Sequence, residues 1–260
     1  MLDRSLFPGY DEIYRRLGVD NERDRRHMDW CSIVEHYSDR RLSYNGDKLP
    51  AISAIAEYYA AMLSESYLAG SWDTYLVNGM MWLIQKHLKP NVWAQSPPKY
   101  RTPSWSWAAH NQRVRFRNSD GVEPDMVVVE IISYGTNLVR EELPFGEVVS
   151  GQIILDGALE QLDIVMNVGK DNELRWYKLY YDCQVYERIN SSEIWLLKIR
   201  DWSQFLVGKD WSCTGLILSQ SADAQWKRVG FFELAPYDSE LQMEKFLKRF
   251  FTKRRTISII

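Results

Sequence analysis

The order of hydrophobic periods along the chain predicts an α+β fold: an N-terminal layer of about three helices, a largely antiparallel β-rich region, then one C-terminal closing helix. Three observations carry this. From Asp29 to about Lys89 apolar residues recur every three or four positions, the spacing of a half-buried helix. After Pro103 the period shortens, and Val, Ile, Tyr, Phe and Trp gather in short blocks. Near the end, "SELQMEKFLKRFF" returns to helical spacing. Helices segregated from strands argue against alternating βαβ units, and no internal repeat is evident.

Taken in order, residues 1–28 form a polar opening segment containing "NERDRRH". Trp30, Ile33, Val34 and Tyr37 then fall at i, i+3, i+4 and i+7, one stripe of a first helix. Asp47 is the expected N-cap of a second, with Pro50 in its first turn and Leu49, Ile52, Ala56, Tyr59 and Leu63 along one face. A third helix is predicted from about Trp72, with Tyr75, Leu76, Gly79, Met80 and Leu83 in register, ending before Lys89-Pro90 because proline cannot continue the ladder. Residues 29–100 thus read as a helical subdomain.

"QSPPKYRTP" connects it to a β-rich subdomain over 101–260, packed with it as one unit. Val114 and Phe116 alternate with Arg113, Arg115 and Arg117, apolar inward and charged outward. Further strands are predicted within 126–132, 147–165, 174–186, 193–199, 213–219 and 226–234. "NVGKDNEL" and "SQSADAQW" have the composition of hairpin loops. The closing helix has Asp238 or Ser239 as cap and turns Leu241, Phe246, Leu247 and Phe250 toward the body, and "RTISII" can add an edge strand.

Composition bounds the chemistry. A chain of 260 residues has material for a sizeable core in one large domain or two small ones. Aromatics stand out at 13%, with 11 Trp and 15 Tyr; large planar side chains are mostly buried, although a sugar- or partner-binding surface also uses them. A formal charge of −3 gives no global attraction to nucleic acid or anionic membrane. Cys31, Cys183 and Cys213 are odd in number and far apart, which fits neither a disulfide framework nor a zinc site and suits a reducing compartment. The N-terminus lacks the order of a signal peptide and no apolar run reaches bilayer length, so a cytoplasmic protein without a membrane span is expected.

No catalytic motif stands out. His27, His36, His87 and His110 lie in four separate segments without metal spacing. A nucleophile elbow, a phosphate loop and a dinucleotide fingerprint are all missing. Cys31 and Cys213 sit in apolar patterns and read as small core residues. Glu130 in "VVVEIIS" is either a buried acid or, by strand alternation, an outward residue, and the pattern favours the latter. Asp156 reads as a turn former. The basic C-terminal run at Lys245, Lys248, Arg249 and Lys253 to Arg255 complements a helix dipole, with a patch that binds anionic lipid or nucleic acid as the alternative. No catalytic residue, cofactor or metal is expected. On a strand, Trp105 and Trp107 would share one face with Ser104 and Ser106 on the other. Such a plate of indoles is either a roof over the helical layer or a stacking platform. Its size as an exposed patch favours burial.

The order of short motifs resembles a known family. "WCSIVEHYSDRRLSYNGDKLPAISAIAEYY" (30–59), "YLAGSWDTYLVNGMMWLI" (67–84) and "TPSWSWAA" (102–109) are similar to the region that follows the signature domain of fungal heterokaryon-incompatibility (HET) proteins. "TGLILSQSADAQWKRVGFFEL" and "RRTISII" resemble that family's tail, so the resemblance runs from Trp30 to the end. Its structural motif residues here are Trp30, Asp47, Pro50, Tyr67, Gly70, Trp72, Trp82, Trp105 and Trp107. In that family the toxic, NAD-cleaving activity is associated with the N-terminal HET domain. The hallmark stretches of that domain are absent from this sequence, and the residues before Trp30 are too few to hold it.

The resemblance therefore implies a non-catalytic accessory module in self/non-self recognition and incompatibility cell death, acting through a protein partner. Two rivals remain at this level. One is a hydrolase with paired carboxylates in an aromatic-lined cleft. The other is an unrelated interaction scaffold that uses strand edges.

Overall fold

A computed structural model describes residues 21–85, 99–117, 126–163, 165, 174–183, 193–201, 213–221, 223–236 and 249–260. The predicted closing helix as far as Lys248, the "NVGKDNEL" loop as far as Glu173, and His87 lie outside these residues; Phe250, at the end of that segment, is buried as expected.

A helical region comes first and a large sheet follows. Helix α1 spans Glu22–Ser38. "NERDRRH" is therefore its first two turns rather than a loose leader. Asn21 Oδ1 caps it by accepting from the Asp24 N–H at 2.7 Å, and Glu22 and Asp24 complement the dipole. Helix α2 spans Ser53–Leu63. It ends where Ser64 turns left-handed at φ 57°, its N–H bonding the Ala60 carbonyl. Between the two helices lie two 3-10 turns, Asn45–Lys48 and Pro50–Ile52, with Pro50 in the first position of the second. Asp47 does not cap α2. It sits within the first turn, exposed, and Ile52 occupies the cap position without a side-chain bond.

The third predicted helix does not form. The chain makes a ribbon of β1 (Tyr67–Leu68) and β2 (Ser71–Trp72), a 3-10 turn at Asp73–Tyr75, one helical turn, α3 (Leu76–Gly79), and then strand β3 (Trp82–Ile84). Residues 79–84 are buried without interruption, so no face is polar and a helical stripe can be picked from a strand by chance. The deciding partner is remote: β3 pairs antiparallel with β4 (Val114–Phe116), Trp82 opposite Phe116. Val114 and Phe116 are buried and Arg115 exposed, the alternation read from sequence. Helix α1 covers the outer edge of β4. Its Ser38 Oγ accepts from the Val114 N–H at 3.0 Å and its Glu35 carboxylate from the Phe116 N–H at 2.7 Å.

The main sheet has seven strands: β5 (Glu130–Leu138), β6 (Val148–Gln161), β7 (Leu174–Tyr181), β8 (Ile194–Asp201), β9 (Cys213–Gln220), β10 (Trp226–Pro236) and β11 (Arg254–Ile259). Long β6 is the hub, pairing with β5 and β11 over its first part and with β8 at Leu159 to Gln161. β8, β9 and β10 follow as an antiparallel meander, "SQSADAQW" turning between the last two. β10 then meets β11 through one parallel pair, Trp226 opposite Ile259, so the pairings return to β6 and close a ring of five strands.

Three expectations change here. "RTISII" is not an edge strand; it closes the ring, because Ile257 and Ile259 are buried and both its sides find partners. β7 pairs with β10, not β6, so "NVGKDNEL" does not join neighbouring strands. Asp156 lies inside β6, where its carboxylate accepts from Arg254 Nε at 2.5 Å, instead of turning the chain. Glu130 is exposed on β5, as its alternation predicts. One buried apolar cluster takes in α1, α2, β3, the 105–108 segment and strands of the ring.

Candidate functional site

Two features meet at the junction of helices and ring: a packed tryptophan joint, and a polar cleft outside it. The joint centres on Gly70. Its carbonyl accepts two indole N–H groups, Trp107 at 2.8 Å and Trp30 at 3.0 Å. Its φ of +102° suits glycine, and a Cβ there would overlap the Trp107 indole. Trp105 and Trp107 are not on a strand. Ser106 caps a 3-10 turn at Trp107–Ala109, its Oγ accepting from the Ala108 N–H at 3.1 Å and donating to the Ala69 carbonyl at 2.6 Å. A capped turn after Pro103 frees the two indoles from a common face. Trp82 Nε1 donates to the Trp105 carbonyl at 3.1 Å. Trp30, Trp72 and Tyr67 make edge contacts with centroids 5.2 to 6.0 Å apart.

All five of the tryptophans singled out by sequence are buried, none lines the cleft, and Tyr67 packs among them. Asp47 and Pro50 lie away from the joint, beside a smaller groove of about 440 Å³ that gathers Glu57, Glu142 and Glu147 but no indole.

Below the cleft lies a set of buried charges. Arg228, 1% exposed, donates to the Asp182 carboxylate and to the Trp82 carbonyl, with its guanidinium carbon 3.3 Å from the centre of the Trp82 ring. Burial pushes Asp182 up to about 6 against the pull of Arg228, and pushes Arg228 down. His110 Nε2 lies 4.0 Å from the same carboxylate. Burial, then the Arg228 charge, lowers His110 to about 3, so it is a neutral imidazole at pH 7. Lys48 Nζ donates to the His110 carbonyl, 5.5 Å from the centre of the Trp107 ring, and burial lowers it to about 7. Arg101 donates to the carbonyls of Ala108 at 2.7 Å and Asn45 at 2.6 Å. Burial brings it down to about 10.

The cleft encloses about 850 Å³ between the 99–104 segment, the exposed ribbon of β5 and β6, and the start of β10. Lys99, Arg101, Lys227 and Arg228 line it, with His110, and no Asp or Glu side chain does. Ser104 is the residue type of a nucleophile and stands near His110, but its hydroxyl is committed. It donates to the Ile260 carbonyl and accepts from the Arg228 N–H at 2.9 Å. The arrangement is suited to holding an acceptor-rich ligand, not to attacking one.

Sequence reasoning passed over Lys48, Arg101, Asp182 and Arg228. One signal was there to be read: on β10, Arg228 has the inward parity of Trp226 while Lys227 faces out. Asp182, 46 residues away, carried none. Cys31, Cys183 and Cys213 are all buried. Among the described residues no group of three His, Cys, Asp or Glu is placed to hold a metal ion, and no helix is long and apolar enough to cross a membrane.

Compared with protein-family models, curated proteins and solved structures, the chain matches none.

Proposed function

We propose that the chain is a non-catalytic recognition module acting in the cytoplasm beside proteins of heterokaryon-incompatibility type, in fungal self/non-self recognition and the cell death it triggers. The observation that supports this reading is the burial of the signature tryptophans around the Gly70 carbonyl, as a joint between two layers and outside the two grooves described above. Residues held that way transmit rigidity, and a recognition surface needs a rigid frame. The rival hydrolase needs paired carboxylates in an aromatic-lined cleft: the larger cleft has Tyr100 and Tyr134 but no Asp or Glu, and the smaller groups Asp47, Glu57, Glu142 and Glu147 with Phe145 as its one aromatic residue.

Two measurements test the proposal. Purified chain incubated with NAD, and separately with generic glycoside and ester substrates, is expected to give no turnover above the buffer blank; turnover of any of them abolishes the non-catalytic reading. Deleting the gene from one of two incompatible fungal strains is expected to change the incompatibility reaction on contact. A reaction identical to that of the parent pair abolishes the role in recognition.

A further inference from the structure

The cleft has a chemical bias that its surroundings do not require. We propose that it is a binding site for a small phosphorylated molecule, held by Arg101 in its wall and by Lys99 and Lys227 at its rim, above the buried Arg228–Asp182 pair. The inference stands on the cleft alone and not on the kinship, so either can fail without the other.

Lys99, Arg101 and Lys227 line one concavity of about 850 Å³ with no Asp or Glu among the lining residues, and Arg228, its side chain buried against Asp182, lies in the wall beneath. A chain of net charge −3 does not produce that by composition. Arg228 is balanced by Asp182, but Lys99, Arg101 and Lys227 gather without counter-charges among the described residues; like charges so placed repel one another, and a bound anion relieves that repulsion. Lys99 and Lys227 have no carboxylate within ion-pair distance among the described residues.

Burial adds an independent argument. Arg101 Nη2, Arg228 Nε and His110 Nδ1 are each shut off from solvent, and among the described residues none has a hydrogen-bond partner. His110 and Arg228 are more than nine-tenths buried, and all three residues belong to the cleft wall. Buried nitrogens left unpaired cost free energy, and native proteins seldom leave several together unless something else supplies the acceptor. A guanidinium N–H is a strong donor to phosphate oxygens, and Arg101 keeps Nη2 unpaired while its Nε and Nη1 bond Ala108, Asn45 and Asn111. Opposite them, Ser133, Thr136, Asn137, Ser150 and Gln152 on the ribbon present neutral donors and acceptors. The volume of about 850 Å³ is within the range of small-molecule sites.

Gly135 allows a clean test. It lines the cleft, and a Cβ built on it meets nothing within 4 Å, so a side chain enters the cavity without displacing a neighbour. Inorganic pyrophosphate is titrated into the intact chain by calorimetry, with citrate and sucrose as comparison ligands. Pyrophosphate is expected to bind at least about tenfold more tightly than citrate, and to weaken as salt rises from about 50 to 200 mM. Gly135→Glu is expected to weaken it by about tenfold or more, whereas Gly135→Gln, of the same size but neutral, stays within about threefold. Both variants are expected to melt with the parent. The Lys99→Ala, Lys227→Ala pair is expected to weaken binding without changing the melt. No binding of pyrophosphate, equal binding of citrate, or equal affinity of the Gly135→Glu and Gly135→Gln variants overturns the proposal. None of these outcomes bears on whether the chain turns over NAD.

Discussion

The Trp107 indole donates to the Gly70 carbonyl at 2.8 Å, across the very space that a Cβ on residue 70 would fill. Left-handed backbone, a doubly used carbonyl and an aromatic ring against the α-carbon are thus coupled at one position. Gly70→Ala brings both a backbone penalty and a steric one. It is expected to destabilise the protein by at least about 2 kcal/mol in urea denaturation. A loss under about 0.5 kcal/mol, the range of a tolerant surface site, contradicts the joint.

The two tryptophans of "SWSW" are equally buried but not equally bonded. Trp107 Nε1 has the Gly70 carbonyl, while Trp105 Nε1 has no partner among the described residues. Trp105→Ala is expected to cost about 3–5 kcal/mol for the cavity alone. Replacement by phenylalanine separates ring from hydrogen bond: Trp107→Phe is expected to cost about 1 kcal/mol more than Trp105→Phe. Paired chemical denaturation curves measure the difference, and the reverse order refutes it.

Lys48 gives a pH dependence with a definite sign. Burial holds its folded value at about 7 against an ordinary value of 10.5, so between these limits the unfolded chain keeps a proton that the folded chain has lost. Stability therefore rises with pH from about 7 toward 10, at up to roughly 1.4 kcal/mol per pH unit, and below 7 the penalty of burying the ammonium is fully present. Above 10 the buried tyrosines act in the opposite sense, since Tyr37 and Tyr180 are raised to about 12. Lys48→Met is expected to flatten the rise between pH 7 and 10. Urea midpoints at four pH values test it, and an unchanged slope in the variant contradicts it.

Asp182 and Arg228 form a fully buried pair, while Arg254 and Asp156 form one at the surface. At pH 7.5, Asp182→Asn leaves a guanidinium buried without its counter-charge and is expected to cost about 3 kcal/mol or more. Arg254→Ala removes a half-exposed, screened partner and is expected to cost under about 1 kcal/mol. Equal losses in the two variants would contradict the burial of the Asp182 pair.

Strand positions were readable where a segment's own alternation or β-branched composition matched its final burial, as at Val114–Phe116 and along Ile194–Asp201. The first two helices were readable for the same reason, though α1 starts earlier than its apolar stripe because Asn21 caps a polar first turn. The third helix failed because Met81 to Ile84 are buried on every side, and uniform burial has no period. Asp47 failed as a cap because two 3-10 turns intervene before α2 begins. The cleft was hidden more deeply. The titratable residues in its wall and beneath it come from segments around 48, 101, 110, 182 and 228, each unremarkable in its own surroundings.

The sequence by itself determined the segregation of helices from strands and the inward destiny of the five signature tryptophans, because both follow from local periodicity and the cost of exposing large apolar rings. Only the tertiary structure decided that residues 82–84 would extend, that β11 would close a ring, and that Arg228 would meet Asp182 beneath a cationic cleft. Those outcomes are set by register and contact between remote segments, and such contacts become favourable only once the chain has closed on itself.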